Sequence, residues 1–196
     1  MDRIQEYISH LQQVLSRLSV PDVRASIDLV VKAYENDQQI FIIGNGGSAS
    51  TASHISCDLN KGTVTIPGGG VLPGLKRFRS ISLTDNVSTM SAWANDTTYD
   101  DIFVEQLKNL VCPNDLLLCL SVSGNSENIL RAMRLAKQMD CNLIAWTGQN
   151  GGRMAEIADV TVRVESDRYG PVEDVHLILN HILHDWISTD NQARIG

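Results

Sequence analysis

The sequence predicts an α/β fold: a five-stranded parallel sheet with helices on both faces. Short apolar runs of strand type alternate with longer helical patterns from residue 38 onward. Residues 115–121 form an almost unbroken apolar run, as a strand covered on both faces does. Several strand-like runs stop at loops of Gly, Ser and Asn that open directly into helical segments. No repeat or linker divides the chain, so residues 1–196 read as one domain: a helical hairpin over 1–37 and a parallel α/β core with its C-terminal helix over 38–196.

Taken in order, residues 2–18 carry Ile4, Ile8, Leu11, Leu15 and Leu18, the stripe of an amphipathic helix. Pro21-Asp22 punctuates, and residues 23–36 repeat the pattern through Ile27, Val30, Val31 and Tyr34. This antiparallel pair is expected to pack on the core or on another subunit and to carry no chemistry. Phe41-Ile42-Ile43 is a strand that stops at Gly44-Asn45-Gly46-Gly47-Ser48, and good helix formers follow to Asp58. Residues 63–76 are rich in Gly and Pro and read as a surface loop; Lys76, Arg77 and Arg79 also admit a basic lid over an anionic ligand. A strand over 79–83 ends at Thr84-Asp85-Asn86, and helices are expected over 87–94 and 98–110. Strands over 115–121, 142–147 and 160–164 alternate with helices over 127–139 and 153–157, and a long helix over 172–188 closes the chain.

The net charge of −7 excludes a nucleic-acid surface of the ordinary basic kind, but not a local seat for a small anion. The four cysteines, Cys57, Cys112, Cys119 and Cys141, have no metal-binding spacing. Cys119 and Cys141 lie in apolar runs and read as buried thiols in a reducing cytoplasm. The polar, helix-patterned N-terminus is not a signal peptide, and no run reaches transmembrane length.

The chemistry gathers in two loops and two helices. A glycine turn at a helix start leaves backbone N–H groups free at the positive end of the helix dipole, which suits residues 44–48 to an anion. Four residues apart on the following helix, His54 and Asp58 share a face. The second loop, Ser121-Val122-Ser123-Gly124-Asn125-Ser126, repeats the grammar with three hydroxyls. Ser126 alone would read as a helix cap, but three serines exceed what capping needs and suit a terminal phosphate. Gly44-x-Gly46-x-x-Ala49 also fits a dinucleotide fingerprint, yet no acidic residue falls at 63–67 where the ribose would need one. On the last helix stand Glu173, Asp174, His176, His181 and His184. Glu173 and His181 are about 80° apart on the helical wheel, near enough to face one cleft. Spacing does not choose among the three histidines.

These motifs, with Thr147-Gly148-x-x-Gly151-Gly152 and Val175-His176, resemble the sugar-isomerase (SIS) domain family, and within it the phosphoheptose isomerase branch. The resemblance runs over nearly the whole chain, hairpin included. It implies a three-layer α/β/α flavodoxin-like fold, a homotetramer with sites shared between subunits, and no nucleotide cofactor, nucleic acid or membrane partner. The implied reaction is aldose–ketose isomerisation of a phosphosugar, sedoheptulose 7-phosphate to D-glycero-D-manno-heptose 7-phosphate. By the resemblance, Ser121, Val122, Ser123 and Ser126 hold the phosphate, and Asn45, Gly46, Gly47 and Ser48 contact the sugar, with Asp85, Asn86 and Glu173 nearby. Asp58 and His181 take the places of the acid and base. Some members bind zinc, at positions that correspond to His54, Asp58, Glu173 and His181.

The chain departs from the family pattern. Asp58 replaces a glutamate, Glu173 a glutamine and Asn86 an aspartate; Lys61-Gly62 falls where the family has an arginine, and Gly68–Gly74 is an insertion. A carboxylate one methylene shorter moves its oxygens by about 1 Å, a displacement that matters to catalysis. A non-catalytic alternative exists in the same family, a phosphosugar-binding adaptor similar to the relative that binds the replication initiator DnaA. That relative has another residue where His181 stands.

Overall fold

The computed structural model of the protein describes residues 2–66 and 68–193, with the side chains of 190–193 outside the description. Pro67, in the glycine-rich loop, therefore lies outside it. In chain order the elements are α1 (Arg3–Ser16), α2 (Val20–Glu35), β1 (Gln39–Gly44), α3 (Gly47–Asn60), β2 (Arg79–Ser82), α4 (Val87–Asp96), α5 (Val104–Leu110), β3 (Leu116–Ser121), α6 (Glu127–Gln138), β4 (Asn142–Thr147), α7 (Met154–Ile157), β5 (Val160–Arg163) and α8 (Tyr169–Ala193).

All five strands are parallel, in the order β2-β1-β3-β4-β5. Side-chain alternation divides the apolar strand residues between two cores. Ile40, Ile42, Leu116, Leu118, Leu120, Ile144 and Trp146 join residues of α2, α3 and α8 on one face. Phe41, Ile43, Leu117, Cys119, Leu143 and Ala145 join residues of α5 and α6 on the other. The result is the expected three-layer sandwich. Burial pushes the Cys119 thiol well up and raises Cys141 to about 11, so both are inert packing groups.

The strand order reverses beside β1. The chain leaves β1 for the edge strand β2, then returns to place β3 on the other flank of β1. At such a switch point the loops after the two strands diverge and open a crevice at the carboxyl edge of the sheet. The loops concerned are 44–48 and 121–126, the two singled out by composition.

Two local expectations change, while the two N-terminal helices precede the sheet as expected. α2 covers the sheet through buried Ile27, Val30 and Ala33, whereas α1 reaches α8, where the Tyr7 hydroxyl donates to Asp174 Oδ2 at 2.6 Å. The helix expected over 98–110 is broken: a short 3₁₀ turn at Tyr99–Asp101 precedes α5, and buried Ile102 and Phe103 occupy the break. Arg131 holds that turn through Asp101 at 2.7 Å and Asp100 at 3.3 Å. The last helix begins at Tyr169, because Pro171 is tolerated in a first turn. Of the two readings of the basic residues after the glycine-rich loop, the lid is not met by Lys76 or Arg79. Lys76 reaches the Glu35 carbonyl at 3.3 Å and Arg79 the Asp37 carbonyl at 2.6 Å, just before β1, at the sheet edge opposite the crevice.

Candidate active site

The first loop needs its glycines for geometry. Gly46 has φ +56°, and a methyl on Gly44 would sit 2.5 Å from the Ser48 carbonyl oxygen. The chain can then turn from β1 into α3 within three residues, with the α3 N-terminus facing the crevice. In the second loop the hydroxyls converge: Ser121 Oγ lies 3.4 Å from both Ser123 Oγ and Ser126 Oγ. Ser126 occupies the N-cap position of α6, but its hydroxyl makes no capping bond. The third glycine motif has a supporting role. Gly148 donates to the Val122 carbonyl and Met154 to the Gly124 carbonyl, each at 3.0 Å, which props the serine loop from behind.

Asn45, Ser48, Leu120, Ser121, Val122, Ser123, Ser126, Tyr169 and Glu173 enclose a pocket of about 100 Å³. Glu173 reaches it from the first turns of α8. Its carboxylate lies over Gly47, where a methyl would come within 2.6 Å of Oε1, so Gly47 is required for this approach. Gly46 is not among the pocket-lining residues.

Further along α3, a second group forms where α8 runs beside it. His54 Nε2 is 3.3 Å from Asp58 Oδ2, and the rings of His54 and His181 meet edge-on at 5.3 Å between centroids. Ligand atoms of His54, Asp58 and His181 all lie within 4.8 Å of one another. These three are the residues among those described that are grouped closely enough to share an ion. Two imidazoles and a carboxylate are a competent donor set for zinc with a position left open. Glu173, expected as a fourth ligand, does not join this group; it is committed to the pocket at Gly47.

Tertiary structure also resolves the histidines. His181 is exposed and faces His54. His176 is buried, and burial lowers its pKa to about 4. His184 lies beside Gly62, where a methyl would meet its Nε2 at 2.5 Å. Sequence reading missed Asn180. Fully buried on α8, it donates through Nδ2 to Asp58 Oδ2 at 2.7 Å and so holds the shortened carboxylate in place. No pattern along the chain marks it; only the α3–α8 contact does.

Asp85 and Asn86 sit apart from the serine pocket. Asp85 accepts from the Ser53 hydroxyl, and Asn86 Oδ1 caps α4 by accepting from Thr89 N at 3.0 Å. Both line a wide groove of about 710 Å³ with Ser56, Ser80 and Ser82 beside β2.

A flavodoxin-like sandwich with a hydroxyl-lined pocket at its switch point and a His–Asp–His group on the adjoining helix defines the class. Residues 5–148 match the SIS domain model, and the chain belongs to that family. Among its relatives, a phosphoheptose isomerase of Helicobacter pylori is 33% identical over 93% of this chain and 92% of its own length. One from Shewanella loihica is 35% identical over 94% and 93%. The solved structure of a phosphoheptose isomerase from Francisella tularensis superposes with a TM-score of 0.86 at 28% identity, covering 96% of this chain and 97% of that one.

Proposed function

We propose that the protein is a phosphosugar aldose–ketose isomerase acting on sedoheptulose 7-phosphate. The observation that carries this reading is the pairing of a serine-lined pocket with the His54–Asp58–His181 group at a fixed separation. Ser48 to His54 is six residues, about 9 Å along α3. With C–C bonds of about 1.5 Å, an extended seven-carbon chain with its phosphate covers a similar distance. The pocket then takes the phosphate, through the serine hydroxyls and the free N–H groups of α3, and the reacting carbons lie by the histidines.

In the reaction the open-chain ketose loses a proton from C1 and gains one on the C2 oxygen, giving a cis-enediol. Reprotonation at C2 and loss of the C1 hydroxyl proton yields the aldose: C1 is oxidised, C2 is reduced, and no external electron carrier is needed. Asp58 and His181 are the acid–base pair that moves these protons. Asn180 keeps Asp58 aimed. Zinc, where bound, would be held by His54, Asp58 and His181 and would supply positive charge that favours the enediolate oxygen. Retention of all three residues favours catalysis over an adaptor role.

The wider assignment is a cytoplasmic homotetramer. Four free thiols accord with a reducing compartment. Ile4, Ile8 and Val20, exposed at 69%, 45% and 75%, offer apolar surface to neighbouring subunits. Among the described residues, no helix is long and apolar enough to cross a membrane. Light scattering checks the tetramer.

The function is tested by following sedoheptulose 7-phosphate by NMR, after chelation, with and without added zinc. Aldose signals that vanish in His181→Ala and Asp58→Asn are expected. Full turnover by Asp58→Asn would overturn the assignment of that residue, and silence of the wild-type protein in every condition would overturn the reaction.

A further inference from the structure

Asn45 carries more information than a contact residue normally does, because its orientation can be deduced. Its Nδ2 donates to Asn128 Oδ1 at 3.0 Å, and its Oδ1 accepts from Asn128 Nδ2 at 2.8 Å and from the Tyr99 hydroxyl at 3.1 Å. Asn128, in the first turn of α6, is 2% exposed. The backbone N–H of Ile129 lies 2.9 Å from Asn128 Oδ1 and can only donate. Asn128 must therefore turn its oxygen toward that N–H, which leaves its Nδ2 facing Asn45 Oδ1. The Asn45 oxygen is engaged by two donors, whereas its amide nitrogen has two protons and uses one of them on Asn128. The other N–H belongs to a side chain that lines the serine pocket.

We propose that Asn128 is a positioning residue. It locks Asn45 so that the pocket presents an N–H donor, and not a carbonyl acceptor, to the bound phosphosugar. The group read by Asn45 is thus an acceptor oxygen of the ligand. Glu173, acceptor-only when ionised and lining the same pocket, supplies the opposite polarity for a sugar hydroxyl. Two side chains of the pocket thereby discriminate donor from acceptor along one ligand. This inference rests on the phosphosugar reading above.

The test compares wild-type protein with Asn45→Asp, Asn45→Ala and Asn128→Asp, using sedoheptulose 7-phosphate in steady-state kinetics and calorimetry. Asn45→Asp keeps an acceptor for Asn128 Nδ2 and Tyr99 but replaces both N–H donors, the one to Asn128 Oδ1 and the free one, by an acceptor. It is expected to bind more weakly than Asn45→Ala. Asn128→Asp still accepts from Ile129 but turns an acceptor on Asn45 Oδ1, so the Asn45 amide is driven out of register. KM should rise about tenfold or more, with kcat affected far less. In an Asn45→Ala background the same change at 128 should add nothing. Binding by Asn45→Asp as tight as wild type, or an Asn128→Asp effect that is equal with and without Asn45, would overturn the inference. If Asn128→Asp fails to fold, the Asn45→Asp against Asn45→Ala comparison decides it alone. Wild-type protein that neither binds nor converts the heptulose is a different failure, that of the phosphosugar reading, and takes the inference with it.

Discussion

Acidification should destabilise this protein through His176, and the size of the effect follows from its burial. His176 is 1% exposed on α8, its ring 6.3 Å from that of Trp146, and burial lowers its pKa to about 4 against an ordinary value of 6.5. The Thr147 backbone opposes the shift without cancelling it. The sign is set by which state holds the proton. Between pH 6.5 and 4 the unfolded chain binds a proton that the folded chain refuses, so stability falls as pH falls through this window and levels off below it. The full penalty is about 3 kcal/mol, of which about 2 kcal/mol is reached at pH 5. For a chain of this size that corresponds to a Tm lowered by about 4–8 °C between pH 7 and pH 5. His176→Leu keeps a side chain of comparable bulk and cannot take up the proton. Thermal unfolding of both proteins from pH 8 to pH 4 should give Tm curves that diverge below pH 6.5, wild type falling faster. All other groups are common to both proteins and drop out of the difference. Parallel curves would refute the reasoning.

Three further outcomes are expected. Asn180→Leu removes the amide donor from Asp58 Oδ2 and should lower kcat by about 10–100-fold with little change in KM or Tm, measured by kinetics and calorimetry. Gly47→Ala places a methyl against the flexible end of Glu173, so KM for the phosphosugar should rise severalfold while the protein stays folded. Gly44→Ala meets the Ser48 backbone instead, which cannot yield so cheaply; a loss of about 1–3 kcal/mol in denaturant unfolding is expected.

The fold was legible because its signals are local. Apolar runs with β-branched residues, glycine turns and a 3.6-residue stripe each act within a few residues, and together they required a parallel sheet. Where a longer-range force competed, local reading erred. The helix expected over 98–110 is interrupted because Ile102 and Phe103 are drawn into the core and Arg131, from α6, holds the preceding turn. Lys76 and Arg79 donate to the carbonyls of Glu35 and Asp37, some forty residues away, a pairing that no composition rule anticipates.

The site divides in the same way. Sequence by itself determined the two loops of Gly, Ser and Asn, the His54–Asp58 pair and the alternation that places loops after β1 and β3 at one sheet edge. Each follows from spacing along a single element or from the chirality of strand–helix–strand crossovers. Only the tertiary structure decided which of three histidines on α8 faces His54, that Glu173 sits over Gly47 rather than with the other three candidate ligands, and that Asn180 and Asn128 orient Asp58 and Asn45. Those choices depend on the rotation and register of α8 against α3, and of α6 against the β1 loop. Helix register is set by close packing of side chains from distant parts of the chain, a property that no segment carries alone.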